Sequence, residues 1–359
     1  MLSILDLKNS VVNSQNSTLD RILDANLDRA REGLRVIEEW CRFGLDNQSL
    51  TSACKQLRQE LGGWHSPQLR MARNTPEDPG TALTHPQEQR RADISTVLQV
   101  NFSRVQEALR VLEEYGKIEN IAMAAAAKQL RYQIYTLESQ VLAQDCHQKL
   151  AKAALYLVTS PCPNLLAVVE AALEGGLSLV QYREKQAHDH DRLTLARQIG
   201  QLCHRYNALF IVNDRLDIAI AAAADGVHLG QQDLPIAVAR QLLGPHKIVG
   251  RSTTNPQELK RAIDEQADYI GVGPIYKTPT KADKTAVGHD YIRYAADHAP
   301  MPWYAIGGID EHNLANVIAS GASRIAVVRA IIDSPTPTQV TQTLLQQLAI
   351  KPPTLEKIS

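Results

Sequence analysis

No stretch of this chain approaches the run of about 18 apolar residues that a membrane span requires. The first ten residues, MLSILDLKNS, carry Asp6 inside their only apolar stretch, which makes them a poor signal peptide. Charge of one sign is lacking as well: 38 Lys and Arg stand against 39 Asp and Glu, for a formal net charge of −1. Residues 1–140, with 17 basic and 18 acidic side chains, are as balanced as the rest. Nucleic acids and anionic membranes are held by a one-signed field, so neither is expected as a partner. Cysteine is scarce. Cys41, Cys54, Cys146, Cys162 and Cys203 are an odd number with no C-x-x-C pair. That argues against a disulfide framework or a zinc site and fits a reducing, cytoplasmic setting.

What is present is enough for two soluble domains: 359 residues, 44% apolar and 21% charged. The two parts have different grammar. Residues 1–140 read as an all-helical module containing a repeat. ANLDRAREGLRVIEEWCRF from Ala25 matches VNFSRVQEALRVLEEYGKI from Val100 at an offset of 75. Asn26, Arg29, Glu32, Arg35, Glu38 and Glu39 recur as Asn101, Arg104, Glu107, Arg110, Glu113 and Glu114, and the KQLR ending at Arg58 recurs as the KQLR ending at Arg131. Leu27, Leu34 and Ile37 give an apolar helical stripe. Two copies suggest two helical pairs about a pseudo-twofold, not a solenoid. Residues 141–152 are the expected linker, with helix allowed in part of it.

From residue 153 the chain alternates short apolar or β-branched runs with helical segments: 154–158, 178–182, 208–212, 226–229, 247–252, 268–273, 302–307 and 324–328. Eight such runs spell an α/β fold, a (β/α)8 TIM barrel over 153–345, followed by a flexible tail at 346–359. The site of such a barrel lies at the C-terminal strand ends. There the sequence places Gln181, Tyr182, Arg183, Glu184 and Lys185 after the second strand, Asn213 and Asp214 after the third, and Asp233 after the fourth. Ser252 ends the fifth strand, Thr278, Pro279, Thr280 and Lys281 follow the sixth, and Gly308, Val328 and Arg329 follow the seventh and eighth. Asp214 and Asp233 are oxygen ligands of the kind Mg²⁺ takes. Arg183, Lys185 and Lys281 suit phosphate oxygens. The Gly307-Gly308 pair and the turn at Val328 and Arg329 mark the usual phosphate corner of the fold. The set predicts a diphosphate on one Mg²⁺ ion and a second phosphate at the glycine corner.

Each piece also has a plainer reading. Asp233 before Leu-Pro equally suits a helix N-cap, Gly307-Gly308 a tight turn, Lys185 a solvated side chain, and Asn213 a local backbone partner. His228 alternates inward as a core or supporting histidine, not a base. What favours function is that all the candidates fall on one rim.

These residues carry a resemblance. LYLVT (155–159), VQYREK (180–185), FIVNDRLDIAIAAAADGVHLGQQDLP (210–235), GRST (250–253), DYIGVGPIYKTPTK (268–281) and AIGGI (305–309) closely resemble the thiamine-phosphate synthase family across the barrel. The whole arrangement resembles the fused form of cyanobacteria and some other bacteria. The resemblance implies an alkyl-group transferase of thiamine biosynthesis. It would join 4-amino-2-methyl-5-(diphosphooxymethyl)pyrimidine to a thiazole phosphate, plain or carboxylated, and release pyrophosphate. It implies that Gln181, Tyr182, Arg183, Glu184, Lys185, Asn213, Ser252 and Lys281 hold the pyrimidine diphosphate, with Arg183, Lys185, Ser252 and Lys281 catalytic. Asp214 and Asp233 would bind Mg²⁺, and Thr278, Pro279, Thr280, Gly308, Val328 and Arg329 the thiazole phosphate. Arg329 departs from the family's usual Ser and leaves the phosphate site open to change.

Two other readings of the barrel remain: a thiazole-tautomerase-like isomerase, which has no use for the diphosphate set, and a non-enzymatic sensor or scaffold for thiamine intermediates. The helical module has 13 Arg against 4 Lys but no P-loop. It is expected to serve homo-oligomerisation or scaffolding, and only its fusion to the barrel argues for an upstream pyrimidine-phosphate kinase.

Overall fold

The computed structural model describes residues 4–74, 78, 79, 91, 93–278 and 285–349, with side chains from residue 17 onward. It divides into two compact units, Met1–Gln144 and Asp145–Ser359. No helix among the described residues is long and apolar enough to cross a membrane.

The first unit is helical. Its elements are α1 (Ile4–Glu39), which runs into a π-helical turn at Trp40–Gly44, then α2 (Gln48–Gly63), α3 (Pro67–Met71), α4 (Ile94–Glu119) and α5 (Ile121–Lys152). Polar caps fix three of the starts: Asn47, Ser66 and Asp93 accept from the amides of Leu50, Leu69 and Thr96. The stripe expected at Leu27, Leu34 and Ile37 is wholly buried with Phe102, Val105 and Leu109 of α4.

The contacts of the first copy recur in the second. The Asn26 and Asn101 amides donate to the carbonyls of Ile22 and Val97, both at 2.8 Å. Glu38 takes Arg35 at 3.0 Å and Arg58 of α2 at 2.9 Å; Glu113 takes Arg110 at 3.3 Å and Arg131 of α5 at 2.9 Å. A step of three residues turns a helix by about −60°, so the N-x-x-R-x-x-E-x-x-R row drifts off one face. Its Asn is therefore buried in both copies while its Arg and Glu are exposed or partly so. The expected linker is also corrected: α5 continues as helix through 141–152, and Val141 and Leu150 in that span are buried.

The second unit is the barrel. Eight parallel strands close in sequence order: β1 (Leu155–Val158), β2 (Leu179–Tyr182), β3 (Leu209–Asn213), β4 (Gly226–Leu229), β5 (Ile248–Thr253), β6 (Tyr269–Val272), β7 (Trp303–Ile306) and β8 (Ile325–Val327). Every expected strand is present within two residues. The helices are α6 (Leu165–Glu174), α7 (Asp189–Arg205), α8 (Leu216–Ala221), α9 (Ile236–Leu243), α10 (Pro256–Asp264), α11 (Gly288–His298), α12 (Leu314–Ala319), α13 (Arg329–Ile332) and α14 (Pro337–Ala349).

Alternation along the strands makes two cores. Val180, Phe210, Val227, Val249 and Ile270 face the helices, while Tyr156, Leu179, Ile211, Ile248, Tyr269 and Tyr304 fill the bore. Aspartates just before β4 and β6 pin the register from below: Asp225 accepts from the Phe210 amide at 2.8 Å and Asp268 from the Val249 amide at 2.7 Å.

Candidate active site

A cavity of about 320 Å³ opens at the C-terminal end of the barrel. Tyr156 and Tyr304 line its floor and pack with Tyr269 as a trio, with ring centroids 5.2 to 5.7 Å apart. Its wall takes Gln181 from β2, Arg183 just beyond it, Asn213 from β3, His228 from β4 and Ser252 from β5. Thr278, Gly308, Val328 and Arg329 line the opposite side.

The pleat separates residues that the sequence grouped together. Gln181 points into the bore, and its amide reaches the Tyr156 hydroxyl at 2.5 Å. Tyr182, one residue on, lies among the apolar side chains beneath the helices, with no partner for its buried hydroxyl. Burial there raises its pKa to about 12, and its side chain does not line the cavity. Glu184 is likewise engaged elsewhere. Its carboxylate accepts from the amides of Gln186 and Ala187 at 2.7 and 3.1 Å, which holds the turn into α7. Both corrections follow from local geometry: strand alternation for Tyr182 and turn closure for Glu184.

Lys185, Asp214 and Asp233 stand at the strand ends without lining the cavity. The Lys185 ammonium is 3.4 Å from the Asp214 carboxylate. Burial first, and the neighbouring Asp233 carboxyl next, push the Asp214 pKa above its usual range, and Lys185 only partly offsets them. Asp214 also sits at a φ of 59°, a left-handed conformation rarely taken by residues other than glycine. Asp233 does not cap α9, whose N-cap is Pro235; it closes its own loop by accepting from the Gly230 amide at 2.6 Å. The two carboxylates, with no third His, Cys, Asp or Glu grouped near them among the described residues, form a two-oxygen donor set. Such a set fits an ion that completes its shell with phosphate oxygens and water, as Mg²⁺ does.

At the opposite corner Gly307 and Gly308 have φ of 109° and 68°. A Cβ on Gly307 would lie 2.6 Å from Pro274, and one on Gly308 2.9 Å from Tyr276. Only glycine fits this turn, which places backbone beside the first amides of α13 at Arg329 and Ala330. Arg329 is exposed, and its backbone opens that helix. Pro279, Thr280 and Lys281 lie outside the described residues.

Several functional neighbours were not read from the sequence. Tyr156, Tyr269 and Tyr304 are hidden in runs apolar on both faces, where only their polar tips signal a need for partners. His228, by contrast, was read as a core or supporting histidine, and its Nε2 is 2.9 Å from the Ser252 hydroxyl. Arg251, almost fully buried, reaches the carbonyls of Gly230 at 2.8 Å and Leu234 at 3.3 Å with Glu265 as counter-ion at 3.0 Å. It thereby clamps the loop that carries Asp233. A charged residue in the middle of KIVGRST was its signal.

Comparisons with known proteins bear on the family and the fold. Residues 155–331 match the family described as Thiamine monophosphate synthase, and residues 21–140 match the ThiD2 family. The chain is 62% identical to the Thiamine-phosphate synthase of Nostoc punctiforme over 333 residues, covering 92% of this chain and 95% of that protein. It is 58% identical to the protein of the same name from Thermosynechococcus vestitus over 346 residues, covering 96% and 99%. Among solved structures, the Thiamine phosphate pyrophosphorylase from Pyrococcus furiosus superposes with a TM-score of 0.52 at 34% identity, covering 55% of this chain and 96% of that one.

Proposed function

The chain belongs to the thiamine-phosphate synthase family, and from that premise we propose how its barrel residues divide the work of the condensation. The bond between the pyrimidine methylene carbon and the diphosphate oxygen breaks, the electron pair leaves with pyrophosphate, and the thiazole nitrogen supplies the pair for the new C–N bond. The aminopyrimidine ring delocalises the positive charge that grows on the methylene carbon, and the thiazole nitrogen attacks with a free lone pair and loses no proton, so no enzyme base is required. The work left to the protein is positioning and stabilising the departing negative charge.

Asp214 and Asp233 would hold Mg²⁺, which lends positive charge to the diphosphate when bound. Arg183 and Asn213 face the cavity from the same side as Ser252 and would hold the diphosphate, with Lys185 and Lys281 as further cations. Across the cavity, Thr278, Gly308 and the backbone of Val328 and Arg329 would take the thiazole phosphate, to which the family resemblance also assigns Pro279 and Thr280. The single observation that carries this division is the pair of carboxylates at adjacent strand ends, with Lys185 at 3.4 Å from one of them, beside a cavity walled by Arg183 and Ser252.

The test incubates the full chain with both phosphorylated substrates, with and without Mg²⁺, and measures thiamine phosphate. Product should depend on Mg²⁺. Asp214→Ala should lower kcat by about a hundredfold or more, on the scale of lost transition-state charge stabilisation. Glu184→Ala, which loosens only a turn, should stay within about threefold, on the scale of a single net hydrogen bond. Equal losses in the two variants would sink the assignment.

A further inference from the structure

Five side chains form one line of hydrogen bonds across the barrel bore. Gln181 Nε2 is 2.5 Å from the Tyr156 hydroxyl, which is 2.7 Å from the Tyr269 hydroxyl. The Tyr269 hydroxyl is 3.0 Å from His228 Nδ1, and His228 Nε2 is 2.9 Å from Ser252 Oγ. The strand pairing sets this spacing: Gly250 lies opposite Tyr269 and Gly271 opposite Ser252. Gly250 leaves room for the tyrosine ring, which a Cβ there would meet at 2.2 Å, while Gly271 lies beside the imidazole at ordinary contact distance.

The line has a direction. An amide nitrogen only donates, so Tyr156 accepts from Gln181. The Tyr156 proton is buried, a buried proton left unbonded is costly, and the remaining oxygen in contact is that of Tyr269. Tyr269, with no exposed surface, therefore accepts from Tyr156 and gives its own single proton to His228 Nδ1. Burial holds the Tyr269 proton far more firmly than in a free phenol. An imidazole whose Nδ1 accepts carries its proton on Nε2, and that proton goes to Ser252 Oγ. Ser252 lines the cavity, and its own hydrogen is then turned toward whatever occupies it.

We infer that His228 is a positioning residue, locked by Tyr269 in the Nε2–H tautomer so that Ser252 presents its hydroxyl proton to an anionic oxygen of the bound substrate. The same polarity leaves the Gln181 carbonyl as the accepting end of the line, which suits an exocyclic amine. The two ends are thus unlike: an acceptor on β2 and a donor on β5. A ligand that carries an amine at one end and a phosphate ester at the other meets both.

The test has a spectroscopic arm and a kinetic arm, and only the kinetic arm rests on the proposed condensation. The full chain is labelled with ¹⁵N in its histidine rings, and the His228 signals are identified by their loss in His228→Asn. In the unaltered chain Nδ1 should resonate as a pyridine-type nitrogen and Nε2 as a pyrrole-type one. Tyr269→Phe keeps the ring and removes the donor, so His228 should become a mixture of tautomers. In the same variant kcat should fall about tenfold or more with KM for the pyrimidine diphosphate nearly unchanged, as for a hydrogen bond made in the transition state. Adding Ser252→Ala to Tyr269→Phe should cost little beyond Ser252→Ala alone, because both act on one hydroxyl.

A proton on Nδ1 in the unaltered chain would overturn the inference, since Tyr269 would then accept from His228 and Ser252 would give its proton to Nε2. So would a Tyr269→Phe chain that keeps its tautomer or its kcat. If the unaltered chain makes no thiamine phosphate, the proposed condensation fails, while the spectrum still decides the tautomer.

Discussion

At the scale of single residues the bore depends on what is missing from Gly250. A Cβ there would sit 2.2 Å from Cζ of Tyr269 and 2.6 Å from its hydroxyl, on a ring with no exposed surface to move into. Gly250→Ala should therefore cost about 1–3 kcal/mol of stability through overpacking. It should also lower kcat, because the hydroxyl that must move is the one bonded to His228. Thermal unfolding and turnover of the same preparation check both effects; an alanine chain as stable as the unaltered one would mean that the ring has space the geometry denies it. Such residues also mark the limit of what the sequence revealed. Arg183, Asn213, Asp214, Asp233 and Ser252 were legible because a barrel puts function at strand ends, so position alone singled them out. Tyr182 was misassigned and the bore tyrosines were missed for the opposite reason. In a parallel strand both faces are buried, and composition does not say which side of the pleat looks into the bore.

At the scale of elements, the repeat was visible as letters, but its physical content lay in pairings between helices. Glu38 and Glu113 are each almost buried, and each draws one arginine from its own helix and one from the next helical hairpin arm. For Glu113, burial pushes the carboxyl pKa up, but Arg131 and Arg110 together outweigh it and leave it below the usual range. A carboxyl depressed in the folded state stabilises above its unfolded pKa, about 4.3, and loses that contribution as pH falls through the folded value. Glu113→Gln should thus unfold at lower temperature than the unaltered chain near pH 7, by about 1–3 kcal/mol for a charge-assisted bond lost next to a partly buried arginine. The gap should narrow as the pH falls through the folded value, where the unaltered carboxyl is protonated as well. A gap independent of pH would show that Arg131 is held by packing, not by the charge. Helix periodicity revealed the buried stripe of α1, but a pairing between distant helices leaves no trace in the spacing of either one.

At the scale of the whole molecule, the change of grammar near residue 153 separated a helical part from a barrel, and only the joint was misread. No glycine or proline occurs between Lys117 and Ser160, so nothing in that stretch interrupts α5 before Lys152. That absence was the signal for a continuous helix. Each unit closes its own core: Leu27, Leu34, Phe102 and Leu109 in the first, Phe210, Val227, Tyr269 and Ile325 in the second. Two cores of this kind should melt as two transitions in calorimetry. Leu34→Ala, which empties a fully buried site, should lower the helical transition by about 2–5 kcal/mol and so identify it. Mg²⁺ with pyrophosphate, at about a hundred times its Kd, should then add about 2.7 kcal/mol to the barrel alone. For a unit of this size that is a rise of roughly 5–10 °C. Asp214→Asn should abolish the rise while leaving the helical transition in place, because the carboxylate pair belongs to the barrel and the ligand is bound only when it folds. If both transitions rise together, or if Asp214→Asn still responds, the ion is not held where the two strand-end carboxylates meet.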